Sequence, residues 1–288
     1  MKDPAATPSK DILVSFVVAT LGRTVQLERL FASLVDQDHK NFEVIVVDQN
    51  ADDRLAYLFD GRWPLRLTWI HTPGERGVCK GRNKGWRACE GELIVFPDDD
   101  CWYPTWFLSR GIELLSSSES DILTGRAADA AGDDINGRYS KVPQAVDRSN
   151  VWVSGIEWMM LFRTSALQNV GGFDETIGVG APTPWQACEA QDIILRALEK
   201  GLKCHFDPSF YGHHDEFDIS VQSKGRAYGR GLGYVLRIHN YGTVAEAMWV
   251  CRPIARLVLS ALKGDVSESG YLLDVSLGRL EGCLGRTF

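Results

Sequence analysis

From Ile12 onward the chain alternates between short continuous apolar runs and stretches in which apolar residues recur every three or four positions. Ile12 to Val18 is a run of the first kind, and Leu27, Leu30, Phe31 and Leu34 then mark one face of a helix over Val25 to Asp36. The alternation continues through a strand at Phe42 to Val47, a short helical piece around Leu55, a strand at Leu67 to Ile70, a helix at Val78 to Ala88 and a strand at Leu93 to Phe96. Strands that read as unbroken apolar stretches are buried on both faces, and with helices between them they predict a mostly parallel sheet covered on both sides. In open sheets of this kind ligands gather beyond the carboxyl ends of the strands, so the residues that follow each strand are the ones to inspect.

Past a predicted helix at Trp106 to Leu115 the pattern loosens. Arg126 to Asn150, rich in Gly, Asp and Ser, reads as a long loop, after which a strand is predicted at Met159 to Phe162 and a helix at Glu189 to Lys200. Val244 to Leu262 is apolar around most of its circumference, with Arg252, Arg256 and Lys263 on one helical face. That pattern suits either a helix packed on the main domain or one lying on an anionic membrane surface; its charges keep it from being a span. Met1 to Lys10 is short and polar with Pro4 and Pro8, which predicts a disordered tail and no signal peptide.

Composition narrows the classes. With 44% hydrophobic and 24% charged residues over 288 positions, the chain matches a soluble globular protein. A net charge of -7 excludes a general nucleic-acid binder, which needs a basic surface to release phosphate counterions. The charge is uneven: from Lys224 to the end, nine Lys/Arg stand against five Asp/Glu, leaving +4 there and -11 before it. The seven cysteines are odd in number and never form a C-x-x-C pair, the pattern of reduced thiols in a cytoplasmic protein.

The strongest chemical signal is Phe96-Pro97-Asp98-Asp99-Asp100-Cys101-Trp102, which follows an apolar strand. Three successive carboxylates repel one another unless a cation compensates, and Mg²⁺ or Mn²⁺ bound through carboxylates and substrate phosphates would do so. A solvated acidic turn capping the next helix is the plain alternative. Polar residues after the earlier strands stand in register with this cluster: Thr20 and Arg23, then Asp48, Gln49 and Asn50, then Arg82 and Asn83 in a Gly-rich stretch. Singly, Asp48 could merely close a turn and Arg82 sit on a solvated helix face. Neither G-x-x-x-x-G-K-[ST] nor a strand-to-helix G-x-G-x-x-G is present, which weakens ATPase and dinucleotide readings.

Taken in order, these segments resemble the family 2 glycosyltransferases of the GT-A fold. The resemblance rests on Val17-Val18-Ala19-Thr20 with Arg23, Val46-Val47-Asp48, Gly77 to Gly85, Phe96 to Asp100, Gly171-Gly172-Phe173-Asp174-Glu175, and Glu189-Ala190-Gln191-Asp192 followed by Arg196. It implies a Rossmann-like sheet with a C-terminal helical extension: a catalytic domain over 11–223, nucleotide-binding in its half up to about 105 and acceptor-binding from about 106, then an extension over 224–288. It implies that Thr20, Arg23, Asp48, Gln49, Arg82, Asp98 and Asp99 hold the nucleoside diphosphate, and that Asp98 and Asp100 hold the metal. His214, after a strand-like stretch, would be a third ligand, although two adjacent histidines on a loop are often just exposed. The activity implied is inverting transfer of a hexose from a UDP-, dTDP- or GDP-sugar to a hydroxyl of a glycan or lipid-linked glycan, as in exopolysaccharide or other polysaccharide biosynthesis.

Two departures bear on that reading. Gln49 stands where the family often has a second Asp, so the nucleobase stays open; an amide can both donate and accept. Ala190 occupies the usual position of the base, which leaves Glu189 as first candidate, favoured in a helix's first turn by the dipole, and Asp192 as second. Asp192 could instead pair with Arg196 one turn on. Trp102, Trp106, Trp152, Trp158 and Trp185 could stack on sugar faces, with Trp106 and Trp158 better suited to the core. A nucleotidyltransferase, or a non-catalytic subunit that binds sugar nucleotides or glycans, remains as the rival reading. A peripheral contact with the cytoplasmic membrane face through 244–263 is a further expectation.

Overall fold

The computed structural model describes residues 11–215, 223–263 and 265–288, so the expected tail at 1–10 lies outside the described residues. The elements are β1 (Val14–Thr20), α1 (Val25–Val35), β2 (Phe42–Asp48), β3 (Leu67–His71), α2 (Val78–Trp86), β4 (Leu93–Val95), α3 (Phe107–Ser117), β5 (Ile122–Ala128), β6 (Gln144–Val146), α4 (Val151–Ser154), β7 (Leu161–Arg163), α5 (Thr164–Val170), α6 (Glu189–Glu199), β8 (Cys204–His213), α7 (Ser223–Ile238), α8 (Thr243–Leu262) and α9 (Val266–Leu284). Two compact units make up the chain. The first runs through Glu75, then Gly81–Gly172, then from Ile193 to the end of β8; the second comprises Arg76–Lys80, Phe173–Asp192 and the three C-terminal helices.

All eight strands lie in the first unit, as one sheet ordered β3-β2-β1-β4-β7-β5-β8-β6. β1 pairs in parallel with both β2 and β4, β7 runs antiparallel between β4 and β5, and β8 is again parallel to β5. Six strands thus point the same way, and the sheet is mostly parallel as predicted. The chain leaves β1 toward β2 and β3 on one side and returns to β4 on the other, which opens a crevice at the carboxyl ends of β1 and β4. The core beneath it is apolar, with Phe16, Val18, Leu27, Leu30, Phe31, Val44, Val46 and Val95 fully buried.

The α2 helix owes its seat to its glycines. A side chain at Gly81 would put its Cβ 2.7 Å from that of Ala19, and one at Gly85 would collide with Val17, so α2 lies directly on β1. The long loop expected from Arg126 to Asn150 is corrected: β5 runs to Ala128 and β6 pairs with β8. Leu-Thr-Gly-Arg-Ala-Ala lacks a strand-like apolar run, because Gly125 sits where the ladder between β5 and β8 shifts register and a Cβ would strike the Phe210 carbonyl.

In the second unit α7 and α9 touch backbone to backbone. Gly229 and Gly233 of α7 face Gly278 and Gly282 of α9, and at Gly233 a Cβ would fall inside contact distance of the Arg279 carbonyl oxygen. Glu281 is fully buried where it meets Arg226 at 2.7 Å and Arg230 at 2.6 Å and accepts from the Phe288 amide at 2.8 Å. No helix among the described residues is long and apolar enough to cross a membrane.

Candidate active site

The parallel pairing of β1, β2 and β4 delivers three strand ends to one edge, with Thr20 of β1 directly opposite Asp48 of β2. β4 runs out into Asp98-Asp99-Asp100, and the residues after β1 turn toward it. Thr20 Oγ1 donates to Asp99 at 2.6 Å; Arg23 pairs with Asp99 and, at 2.7 Å, with Asp100. From α2, Arg82 reaches Asp98 at 2.7 Å with its side chain only 1% exposed, which excludes the solvated-face alternative for this arginine. β8 is parallel to this set and ends at the same edge. The pair of hydrogen bonds between Trp102 and His213 seats that end, and His214 Nε2 lies 3.0 Å from Asp100 Oδ1.

Three carboxylates are therefore matched by Arg23, Arg82 and His214. Burial pushes the Asp98 carboxyl up, against the pull of Arg82 and with the repulsion of its acidic neighbours. Asp100 moves the other way: burial is overcome by the His214 hydrogen bond and Arg23, and its carboxyl sits below the usual range. Burial would lower His214, but the Asp100 bond and the surrounding negative charge raise it to about 9. Asp98, Asp100 and His214 each offer one ligand atom, all within 4.8 Å of one another. Carboxylate oxygens and an imidazole at that spacing fit a divalent ion such as Mn²⁺.

Asp48 and Gln49 lie beside this cluster but are engaged differently. The Asp48 carboxylate is fully buried and accepts from the Asn50 amide at 2.9 Å, from Asn50 Nδ2 at 2.7 Å and from Trp69 Nε1 at 3.1 Å, so it does close a turn. The Gln49 backbone N–H donates to the Thr20 carbonyl at 3.0 Å. Asn50 in turn accepts from Gly22, holding the loop after β1. Two residues at this edge escaped the sequence reading. Arg29 donates to the Asp100 carbonyl at 2.6 Å and lies 3.9 Å from the centre of the Trp102 ring, and Trp69 orients Asp48. Arg29 sits on the polar face of α1, where nothing in the pattern distinguishes it from a solvated residue.

Trp102, Trp106 and Trp158 lie in the first unit. Trp102 is covered by Arg29 and stacks on His213; Trp158 is buried 5.7 Å from His214; Trp106 is half-buried and lines a shallow cavity of about 440 Å³ with Ser109, Arg110, Glu113 and Ser209. In the second unit Trp185 stacks on Tyr234 with ring centroids 4.5 Å apart.

The base candidates belong to that second unit. Glu189 opens α6 and is buried, as is Ala190. Cys188, just before it, has φ of 73°, a left-handed backbone that favours glycine and turns the chain into the helix. Gly178 leaves room for Glu189: a Cβ there would lie 3.2 Å from its carboxylate and 3.0 Å from Cys79 Sγ. Asp192, also buried, accepts from His239 Nε2 at 2.9 Å. Arg196, the partner proposed for it by spacing, donates to the Gly172 carbonyl at 2.8 Å.

The sheet thus has a crevice at its strand ends, with an acidic cluster spaced for a divalent ion and cationic side chains around it. The chain belongs to glycosyl transferase family 2, whose pattern it matches over residues 15–180. It is 32% identical over 233 residues to the GalNAc(5)-diNAcBac-PP-undecaprenol beta-1,3-glucosyltransferase of Campylobacter jejuni, covering 77% of this chain and 72% of that one. It is 24% identical to the pre-mycofactocin glycosyltransferase of Mycobacterium tuberculosis, covering 74% of this chain. The chain spans less than half the length of some relatives, 44% of the mycobacterial one and 31% of a Haemophilus influenzae glycosyltransferase. Among solved structures, it superposes with a TM-score of 0.68 and 16% identity on a mannosyltransferase from Pyrobaculum calidifontis in complex with GDP-Man and Mn²⁺, covering 96% of this chain and 90% of that one. Staphylococcus aureus TarS in complex with UDP-GlcNAc gives a TM-score of 0.61 at 16% identity over 96% and 93% of the chains. The fold is thus GT-A, and the chain carries the domain of glycosyl transferase family 2.

Proposed function

We propose that this enzyme moves a hexose, with inversion, from a nucleoside-diphosphate sugar to a hydroxyl of a glycan or lipid-linked glycan, and that it requires a divalent ion. The observation that carries the reading is the grouping of Asp98, Asp100 and His214 at the crevice between β1 and β4. A metal ion bound there supplies Lewis-acid neutralisation of the leaving diphosphate. Arg23 and Arg82, which pair with these aspartates, would bring positive charge to the diphosphate oxygens. Asp48 and Gln49 are the candidates for the nucleobase and ribose, with UDP, dTDP and GDP all compatible with the Gln49 amide. On this reading residues 11–105 form the nucleotide-binding half, 106–223 the acceptor half and 224–288 an extension.

Glu189 takes the proton from the acceptor hydroxyl as its oxygen attacks the anomeric carbon, and the bond to the diphosphate breaks in the same step. The acceptor named for the Campylobacter relative, a glycan linked to undecaprenol diphosphate, supports an acceptor of that class. The test is a thermal-shift series of UDP, dTDP and GDP with and without Mn²⁺ on the parent and Asp100→Ala. At least one nucleotide should stabilise the parent only with metal, and the variant should lose that dependence while keeping its own fold. Metal-dependent stabilisation that survives in Asp100→Ala refutes the assignment.

A further inference from the structure

α8 leaves most of its circumference uncovered. Val244, Met248, Val258, Leu259 and Leu262 are 74%, 69%, 52%, 59% and 80% exposed, and Cys251 and Ala255 between them are exposed as well. At the helical repeat these seven residues fall within an arc of about 100°. Pro253 and Ser260 are buried on the opposite side, where Arg279 of α9 donates to the Trp249 carbonyl at 2.7 Å and Ser269 meets Ser260 at 3.2 Å. The helix is therefore fastened by one face and presents the other, apolar one to solvent.

The edge of that face is basic. Arg252, Arg256 and Lys263 are exposed and lie along one flank of the apolar strip. Glu246, the acidic residue of α8, is half-buried on the far side, and Asp265 beyond the helix is occupied in capping α9 through the Glu268 amide. Arg256 shares its charge with Glu268 at 2.7 Å but keeps its side chain 69% exposed. A broad apolar strip with cationic residues along its border is the geometry of a helix lying in the plane of an anionic bilayer surface, the apolar side chains among the acyl chains and the cations at the headgroups. An antiparallel pair of α8 helices from two copies would instead bring the two basic edges together, with no acid on the exposed face of α8 to receive them.

We propose that the exposed face of α8 is a docking surface for an anionic lipid membrane. The proposal gives a location to the lipid-linked acceptor of the preceding section, but it rests on α8 alone and is read out without the sugar-transfer reaction. The full chain is floated with vesicles of phosphatidylcholine and with vesicles to which phosphatidylglycerol has been added. Binding should appear with the anionic lipid and fall with salt. Arg252→Gln with Arg256→Gln should lower partitioning about 30-fold, two arginines at a charged surface being removed. Met248→Ser with Leu262→Ser should lower it about tenfold or more through lost apolar insertion. All four positions are exposed, so the melting temperature should hold, and nucleotide binding measured on the same variants separates failure of this surface from failure of the glycosyltransferase site. Equal binding to neutral and anionic vesicles, no binding at low salt, or a dimer by light scattering that Met248→Ser with Leu262→Ser dissociates would each overturn the proposal.

Discussion

A carboxylate in a first helical turn and one a turn later look alike in sequence, and their surroundings separate them. Asp192 is buried and meets His239 at 2.9 Å, and Glu189, also buried, opens α6 beside Gly178. The helix dipole favours negative charge at that first position, so Glu189 is expected to be the base and Asp192 the tie between α6 and the C-terminal helices. Glu189→Gln should lower kcat about 100-fold or more with donor affinity nearly unchanged, as general-base loss does. Asp192→Asn should act chiefly on stability, seen as a lower melting temperature with a smaller loss in kcat. Steady-state kinetics with melts on both variants checks this; the opposite profiles would exchange the roles.

Among elements, the α7 and α9 pair shows how much depends on absent side chains. Gly233→Ala would force a methyl against the Arg279 carbonyl and should destabilise by about 1–3 kcal/mol, the usual cost of overpacking. Gly270→Ala, in the same α9 but with nothing within 4 Å, should instead stabilise by up to about 1 kcal/mol through helix propensity. Denaturant melts of the two variants should shift in opposite directions. The same pair carries an acid-sensitive contact. Hydrogen bonds from Arg226 and Arg230 outweigh burial and hold the Glu281 carboxyl at about 2, below its ordinary 4.5. The unfolded chain therefore takes up the proton first, and the stability from this contact is full above about 4.5 and lost as pH falls toward about 2. In Glu281→Gln that part of the acid slope should vanish from melts recorded across the window.

For the whole molecule, a cluster of three acids balanced by two arginines and a histidine is poised rather than neutralised. Arg23, Arg82 and His214 lie within reach of these carboxylates and can balance their charge without a cation, so the protein should stay folded in chelator. Adding Mn²⁺ with a matching nucleoside diphosphate should raise the melting temperature, by about 2.7 kcal/mol in stability at a hundred times the dissociation constant. Chelator should reverse that gain fully; a nucleotide-induced shift that persists in chelator would show that binding does not run through the metal.

Much of this was legible along the chain. Apolar runs at β1, β2 and β4 and the period of α1 are local properties, set by which side chains must leave water, and they fixed the parallel sheet and the edge where Asp98 to Asp100 and Thr20 would sit. Order and spacing of short motifs were enough for the family. What only the tertiary structure decided are the pairings between residues far apart in sequence: His214 with Asp100, Arg82 buried against Asp98, Arg29 on Trp102, and His239 at 2.9 Å from Asp192. β5 and β6 were illegible for a related reason, since their strands are held by β8 and by a close approach at Gly125 rather than by their own hydrophobicity. A hydrophobic period records the choice each residue makes against water, while a contact depends on where the rest of the chain has brought its partner.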